Sequence, residues 1–159
     1  DKVNYKADWS ADGKLIVFSS SQNGGFHLYV MANSPSSEKR ILSRAGEFDI
    51  DPLWVGNEFV LFSKKENEDA FHVATKVSLE MLETSPIDYF DVPINFGSQP
   101  LPALGINIHP DMNWIAFESW PDGEHHNIYV SRVDGSERIQ ITDDKHYDFD
   151  PSWGVISTD

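Results

Sequence analysis

Trp9-Ser10-Ala11-Asp12-Gly13-Lys14-Leu15-Ile16-Val17-Phe18 decides the fold, because the chain returns to it. Trp54-Val55-Gly56-Asn57-Glu58-Phe59-Val60-Leu61-Phe62 repeats it with a turn one residue shorter. Ile108-His109-Pro110-Asp111-Met112-Asn113-Trp114-Ile115-Ala116-Phe117 repeats it again, and Asp148-Phe149-Asp150-Pro151-Ser152-Trp153 opens a fourth copy. Phe62 follows Phe18 by 44 residues, Phe71-His72-Val73 follows Phe26-His27-Leu28 by 45, and Tyr129-Val130 follows Tyr29-Val30 by 100. Several matches in one register mean a repeat architecture, and the period outranks local propensity.

Each copy reads as four short strands. The residues before the tryptophan form the first. Asp-Gly, Gly-Asn or Pro-Asp then turns the chain, all residues that tolerate turn backbone angles. The second strand is apolar at nearly every position: Leu15 to Phe18, Phe59 to Phe62, Trp114 to Phe117. Such a strand needs cover on both faces. Polar loops at Gln22-Asn23-Gly24-Gly25 and Pro121-Asp122-Gly123-Glu124 lead to a third strand, Phe26 to Val30 or Asn127 to Val130. Asp134-Gly135 turns into a fourth, Arg138 to Thr142. Four strands in roughly 40–50 residues predict the blade of a β-propeller.

The order Asp-Pro-x-Trp, Asp-Gly-Lys, an apolar strand ending Phe-Ser, Tyr-Val and Ile-x-Ile-Thr-Asp-Asp resembles the TolB-like (WD40-like) propeller repeat. The resemblance covers most of the chain outside 79–104, with Gly56-Asn57 replacing Asp-Gly in the second copy and Ile108 replacing tryptophan in the third. It implies an all-β fold of four-stranded antiparallel blades and a bacterial periplasmic or extracellular setting. It says little about function, because propellers host many activities. The expected blades run over about 5–44, 47–100 and 105–143, with a loop insertion near 79–104 and the start of a further blade at 148–153. About three blades and one strand make a partial propeller, or half of a six-bladed ring, since rings take about four to eight. The missing blades are expected from a longer chain, a partner, or a second copy.

The 159 residues suffice for a sizeable core. The chain begins at Asp1 and reads as a mature product or a piece of a longer polypeptide. The longest apolar runs are four or five residues, so no membrane insertion is expected. A formal charge of −14 argues against nucleic-acid partners, whose phosphates call for Lys and Arg. With no cysteine there is no disulfide, thiolate metal site or cysteine nucleophile. The insertion holds Pro86, Pro93, Pro100 and Pro102, which predicts an irregular loop with one helical turn near 79–82.

Two Asp-x-Asp-Pro pairs, Asp49 with Asp51 and Asp148 with Asp150, are the candidate metal ligands. On a regular strand i and i+2 share a side, so each pair offers hard oxygen ligands for Ca²⁺ or Mg²⁺. The favoured reading gives these carboxylates backbone N–H bonds instead, and no cofactor is expected. His125 and His126, beside Asp122 and Glu124, form a weaker cluster, since neighbours on a strand diverge. His109 is a turn residue, and His27 and His72 occupy equivalent repeat positions. No Gly-x-Ser-x-Gly elbow or phosphate loop is present. Trp9, Trp54, Trp153, Phe18, Phe62 and Phe117 recur with the repeat and are core by register. Trp120, Tyr89, Phe90 and Phe96 do not recur and are the candidate partner-binding residues.

The leading expectation is a non-enzymatic protein-interaction scaffold, completed by a protein partner or by self-association. The rivals are the propeller portion of a metal-dependent polysaccharide lyase or of a prolyl-oligopeptidase-type hydrolase, and a sugar- or peptide-binding propeller with Trp120 as a stacking platform.

Overall fold

In a computed structural model, residues 2–43, 48–66, 69–76, 91–93, 102–143 and 145–154 are described. They form twelve strands in three four-stranded antiparallel sheets, with no helix among the described residues. The chain divides into two units, Asp1–Ile94 and Asn95–Asp159. The sequence-predicted helical turn near 79–82 lies outside the described residues.

The first unit holds two sheets. One runs β1 (Asn4–Trp9), β2 (Leu15–Ser20), β3 (His27–Ala32) and β4 (Arg40–Ile41). The other runs β5 (Phe48–Val55), β6 (Phe59–Glu66), β7 (Asp69–Lys76) and β8 (Asp91–Pro93). The second unit holds β9 (Ala103–Ile108), β10 (Trp114–Ser119), β11 (Asn127–Arg132) and β12 (Ile139–Gln140). Strands pair in chain order throughout, as tight hairpins dictate.

Apolar second strands form the core, as their composition requires. Val17, Phe18, Val60, Leu61, Phe62, Ile115 and Phe117 are all buried. In the first unit Leu15, Val17, Leu28, Val30 and Leu42 pack with Trp54, Val60 and Phe62 in one cluster. Each large side chain removed from water contributes about 1.5–3 kcal/mol. Trp54 is therefore core, as its register predicts. Trp9 is not: it is 49% exposed, and Trp153 is half-buried. Trp54 packs with Leu15, Val17, Leu28 and Val30 of the sheet before it in the chain.

Two further expectations change. The stretch 79–104 is not all irregular loop. It contributes β8, which pairs with β7 through Val73↔Pro93, Ala74↔Val92 and Thr75↔Asp91. Pro93 is tolerated because it ends an edge strand. The outer strands β4 and β12 have only two residues each, fewer than the five expected over 138–142. A hydroxyl takes over the pairing: Leu28 N–H donates to Ser43 Oγ (2.7 Å) and Ile128 N–H to Thr142 Oγ1 (2.9 Å).

The first strand of every sheet carries a β-bulge, between Tyr5 and Asp8, Ile50 and Leu53, and Leu104 and Asn107. At each bulge one residue adopts left-handed backbone: Lys6 (φ 51°), Asp51 (φ 53°), Gly105 (φ 61°), and in the fourth copy Asp150 (φ 50°). Such φ values cost an ordinary L-residue about 1–2 kcal/mol, so glycine and aspartate are the natural occupants. The bulge also breaks strict alternation at Asp51 and Asp150, the premise that set each aspartate pair on one side.

Candidate functional site

The third sheet departs from the first around Glu118, and the candidate site lies there. Opposite the bulge, the first strand faces Ser19 in sheet one, Ser63 in sheet two and Glu118 in sheet three. Glu118 is buried, at 6% exposure. A Cβ added at Gly105 would lie 2.8 Å from Glu118 Oε1, so glycine at the bulge makes room for the larger acid. Glu118 Oε1 accepts the Asp150 N–H at 2.9 Å, and Oε2 stands 3.4 Å from His126 Nδ1.

Residues 147–153 lie along the third sheet with the bonding that β5 uses on the first. Asp148 N–H donates to the His126 carbonyl at 2.9 Å, and its counterpart Asp49 N–H donates to the Phe26 carbonyl at 3.1 Å. Trp153 Nε1 donates to the Asn107 carbonyl (3.0 Å), and its ring stands edge-on to His109.

Phe26 and His126 are counterparts with different surroundings. Phe26 sits edge-on between Tyr5 (5.1 Å) and Phe48 (5.6 Å), an apolar cluster. Burial, with Asp51 nearby, pushes the Tyr5 phenol up to about 12, against a partial offset from the Ser19 hydroxyl. His126 instead stacks flat on Trp120 (4.3 Å, 8° between planes) and meets Tyr147 at 5.9 Å and Phe149 at 5.3 Å. Tyr147 and Phe149 are parallel within 4° at 6.2 Å and are 59% and 56% exposed. The result is a histidine–carboxylate pair beneath an open aromatic surface.

The hairpin turn beside this surface is preset by Asp122. Its Oδ1 accepts the N–H groups of Glu124 (3.0 Å) and His125 (2.9 Å), and its Oδ2 faces His125 Nδ1 at 2.8 Å. Those backbone donors, then the histidine, hold the Asp122 carboxyl well below the usual range, so it stays charged. His125 and His126 thus turn to different acids, Asp122 and Glu118.

The predicted metal ligands are placed in both units. Asp49 is buried in β5 and Asp51 is the bulge residue; Asp148 and Asp150 belong to the segment laid on the third sheet. No three His, Asp or Glu side chains converge as a metal site among the described residues. Trp120 is brought into the aromatic cluster with one face covered by His126. Tyr89, Phe90 and Phe96 lie outside the described residues. Sequence reading missed Glu118, Tyr147 and Phe149. The signal was present: Phe18-Ser19 and Phe62-Ser63 set a pattern that Phe117-Glu118 breaks.

The chain is similar in structure to a protein described as TolB from Agrobacterium tumefaciens, with TM-score 0.68 and 14% identity over 87% of this chain and 48% of that one. It is also similar to TolB from Acinetobacter baumannii, with TM-score 0.65 and 13% identity over 96% of this chain and 35% of that one. The chain therefore spans less than half the length of either. No family model matches the sequence, and no curated protein matches it. At these identities the likeness shows the fold: antiparallel four-stranded blades of a TolB-like β-propeller, here a partial one.

Proposed function

We propose that this chain is a non-enzymatic protein-interaction scaffold, acting in the periplasm or outside the cell. The blades provide a rigid frame, and the side chains left in water provide the contact. One observation carries this reading. In a fold that buries its large aromatics, Trp9, Tyr147 and Phe149 stay about half exposed or more. Exposed aromatics of this size are what protein interfaces bury.

The Trp9 side of the first sheet takes further blades, from a partner or from a second copy. Trp54, at the equivalent position, supports this assignment by being buried against another sheet. Compositional features agree with a binding role: there is no nucleophile motif in the chain, and the strong negative charge disfavours nucleic acid.

Two measurements test the reading. Sedimentation equilibrium is expected to give a mass above 18.0 kDa that falls on dilution. A photo-crosslinking residue at Trp9 or Tyr147 in the native host is expected to trap a protein that then binds with purified components. A lone monomer with no crosslinked protein, and turnover of a polysaccharide substrate, would replace the scaffold by the lyase alternative.

A further inference from the structure

We propose that the exposed Tyr147–Phe149 pair, with the carboxylates around it, binds an arginine side chain presented by an extended segment of a protein partner. This rests on the scaffold reading and names the chemistry of its contact.

Three observations converge. First, Tyr147 and Phe149 are two parallel rings, both more than half exposed, carried two residues apart on one backbone segment that is pinned at Asp148 and Asp150 by bonds to His126 and Glu118. A fixed pair of ring faces is a stacking surface that needs no ordering on binding. Second, the surroundings are anionic. Residues 118–126 contain Glu118, Asp122 and Glu124 and no Lys or Arg, while 145–150 add Asp148 and Asp150 against Lys145 alone. Asp122 and Glu124 are exposed, so their charge reaches an incoming ligand. Third, the same unit already uses this contact: the Arg132 guanidinium lies 4.2 Å over the Trp114 ring, and Arg138 lies 5.9 Å over Tyr129.

Ring faces attract cations through their quadrupole, and a flat guanidinium stacks where a compact ammonium does not. A neutral sugar would gain nothing from the acidic rim, and the Trp120 face it would use is partly taken by His126. An anionic ligand is repelled. The arginine reading alone uses both the rings and the charge.

The test is a ¹H–¹⁵N titration of the intact chain with acetyl-Gly-Arg-Gly-Arg-Gly-amide. A Lys-for-Arg peptide and a citrulline-for-Arg peptide serve as controls, and a neutral maltooligosaccharide as competitor. Shifts are expected at Trp120, His126, Tyr147 and Phe149, with the arginine peptide tightest and citrulline silent. Tyr147→Ala with Phe149→Ala is expected to weaken binding about fivefold or more, while Tyr147→Phe retains it. Both variants change exposed side chains, and preserved spectral dispersion reports their folding. Equal affinity of the arginine peptide for the double variant would reduce the effect to general attraction by the −14 charge and overturn the proposal. So would a preference for lysine or for the saccharide. A protein crosslinked from position 9, with no arginine preference at Tyr147, would sink this inference and leave the scaffold reading standing.

Discussion

Gly105 and Glu118 fit one another: a Cβ at Gly105 would stand 2.8 Å from the Glu118 carboxylate, at a backbone φ of 61°. In the first two copies the bulged residues are Lys6 and Asp51, and the second-strand residues facing the start of each bulge are Ser19, opposite Tyr5, and Ser63, opposite Ile50. Exchanging serine for glutamate at one position and losing the side chain at the other are one structural change. It gives the third sheet an acceptor for Asp150 N–H and a partner for His126.

Gly105→Ala is accordingly expected to destabilise the protein by about 1–3 kcal/mol, from positive-φ strain and the clash with Glu118. Lys6→Gly should do the opposite, gaining under about 1 kcal/mol, because relief of left-handed strain slightly exceeds glycine's entropy cost. Urea unfolding of the two variants measures both. A neutral Gly105→Ala would show that the bulge is not strained.

Asp8 Oδ2 accepts the Trp54 N–H at 2.7 Å and ties β1 to β5. Asp8→Ala removes the acceptor from a partly buried donor and is expected to cost about 1–3 kcal/mol. Asp8→Asn keeps an oxygen and should cost less. Hydrogen exchange at the Trp54 amide should accelerate in the alanine variant more than at amides of the third sheet. Uniform acceleration would mean global destabilisation only.

Trp54→Ala empties a core position and is expected to cost about 3–5 kcal/mol. Trp9→Ala, at a half-exposed site, should change the melting temperature by a few degrees at most and lower the associated mass instead. Scanning calorimetry and sedimentation of the two variants separate a core role from an interface role. A large stability loss from Trp9→Ala would place that ring in the monomer's core.

Four turn aspartates, Asp12, Asp111, Asp122 and Asp134, each accept a backbone N–H two residues on, and all four are held below the ordinary 3.8. A carboxyl depressed in the folded state binds fewer protons there than in the unfolded chain. Its contribution is complete above the unfolded value and is lost as pH falls through the folded one. Stability should therefore be flat above about pH 5 and decline below about pH 4. Asp122→Asn should make that decline shallower. Denaturant midpoints between pH 2 and 7 check this, and an unchanged slope would remove Asp122 from the account.

Calcium or magnesium at millimolar concentration is expected to leave the melting temperature unchanged, since no three acidic or histidine side chains converge among the described residues. A rise of several degrees, abolished by Asp51→Asn or Asp150→Asn, would restore the metal reading of the Asp-x-Asp-Pro pairs.

The repeat itself determined the strands, their order and the buried Phe18, Phe62 and Phe117, because an apolar strand at a fixed period has few ways to cover both faces. Trp120 was legible as off-register, and so was the turn chemistry of Asp12, Asp111 and Asp134. Tertiary structure alone decided the rest. That Trp54 is buried, against the first sheet, while Trp9 is half exposed depends on the packing around each ring, and identical motifs cannot encode it. That Asp51 and Asp150 leave the pleat depends on a bulge, which one-dimensional alternation assumes away. Glu118, His126, Tyr147 and Phe149 become one site only when the fourth-copy segment lies down on the third sheet. Glu118 and Asp150, 32 positions apart, then share a hydrogen bond, and His126 and Phe149 share a ring contact, a relation visible only in three dimensions.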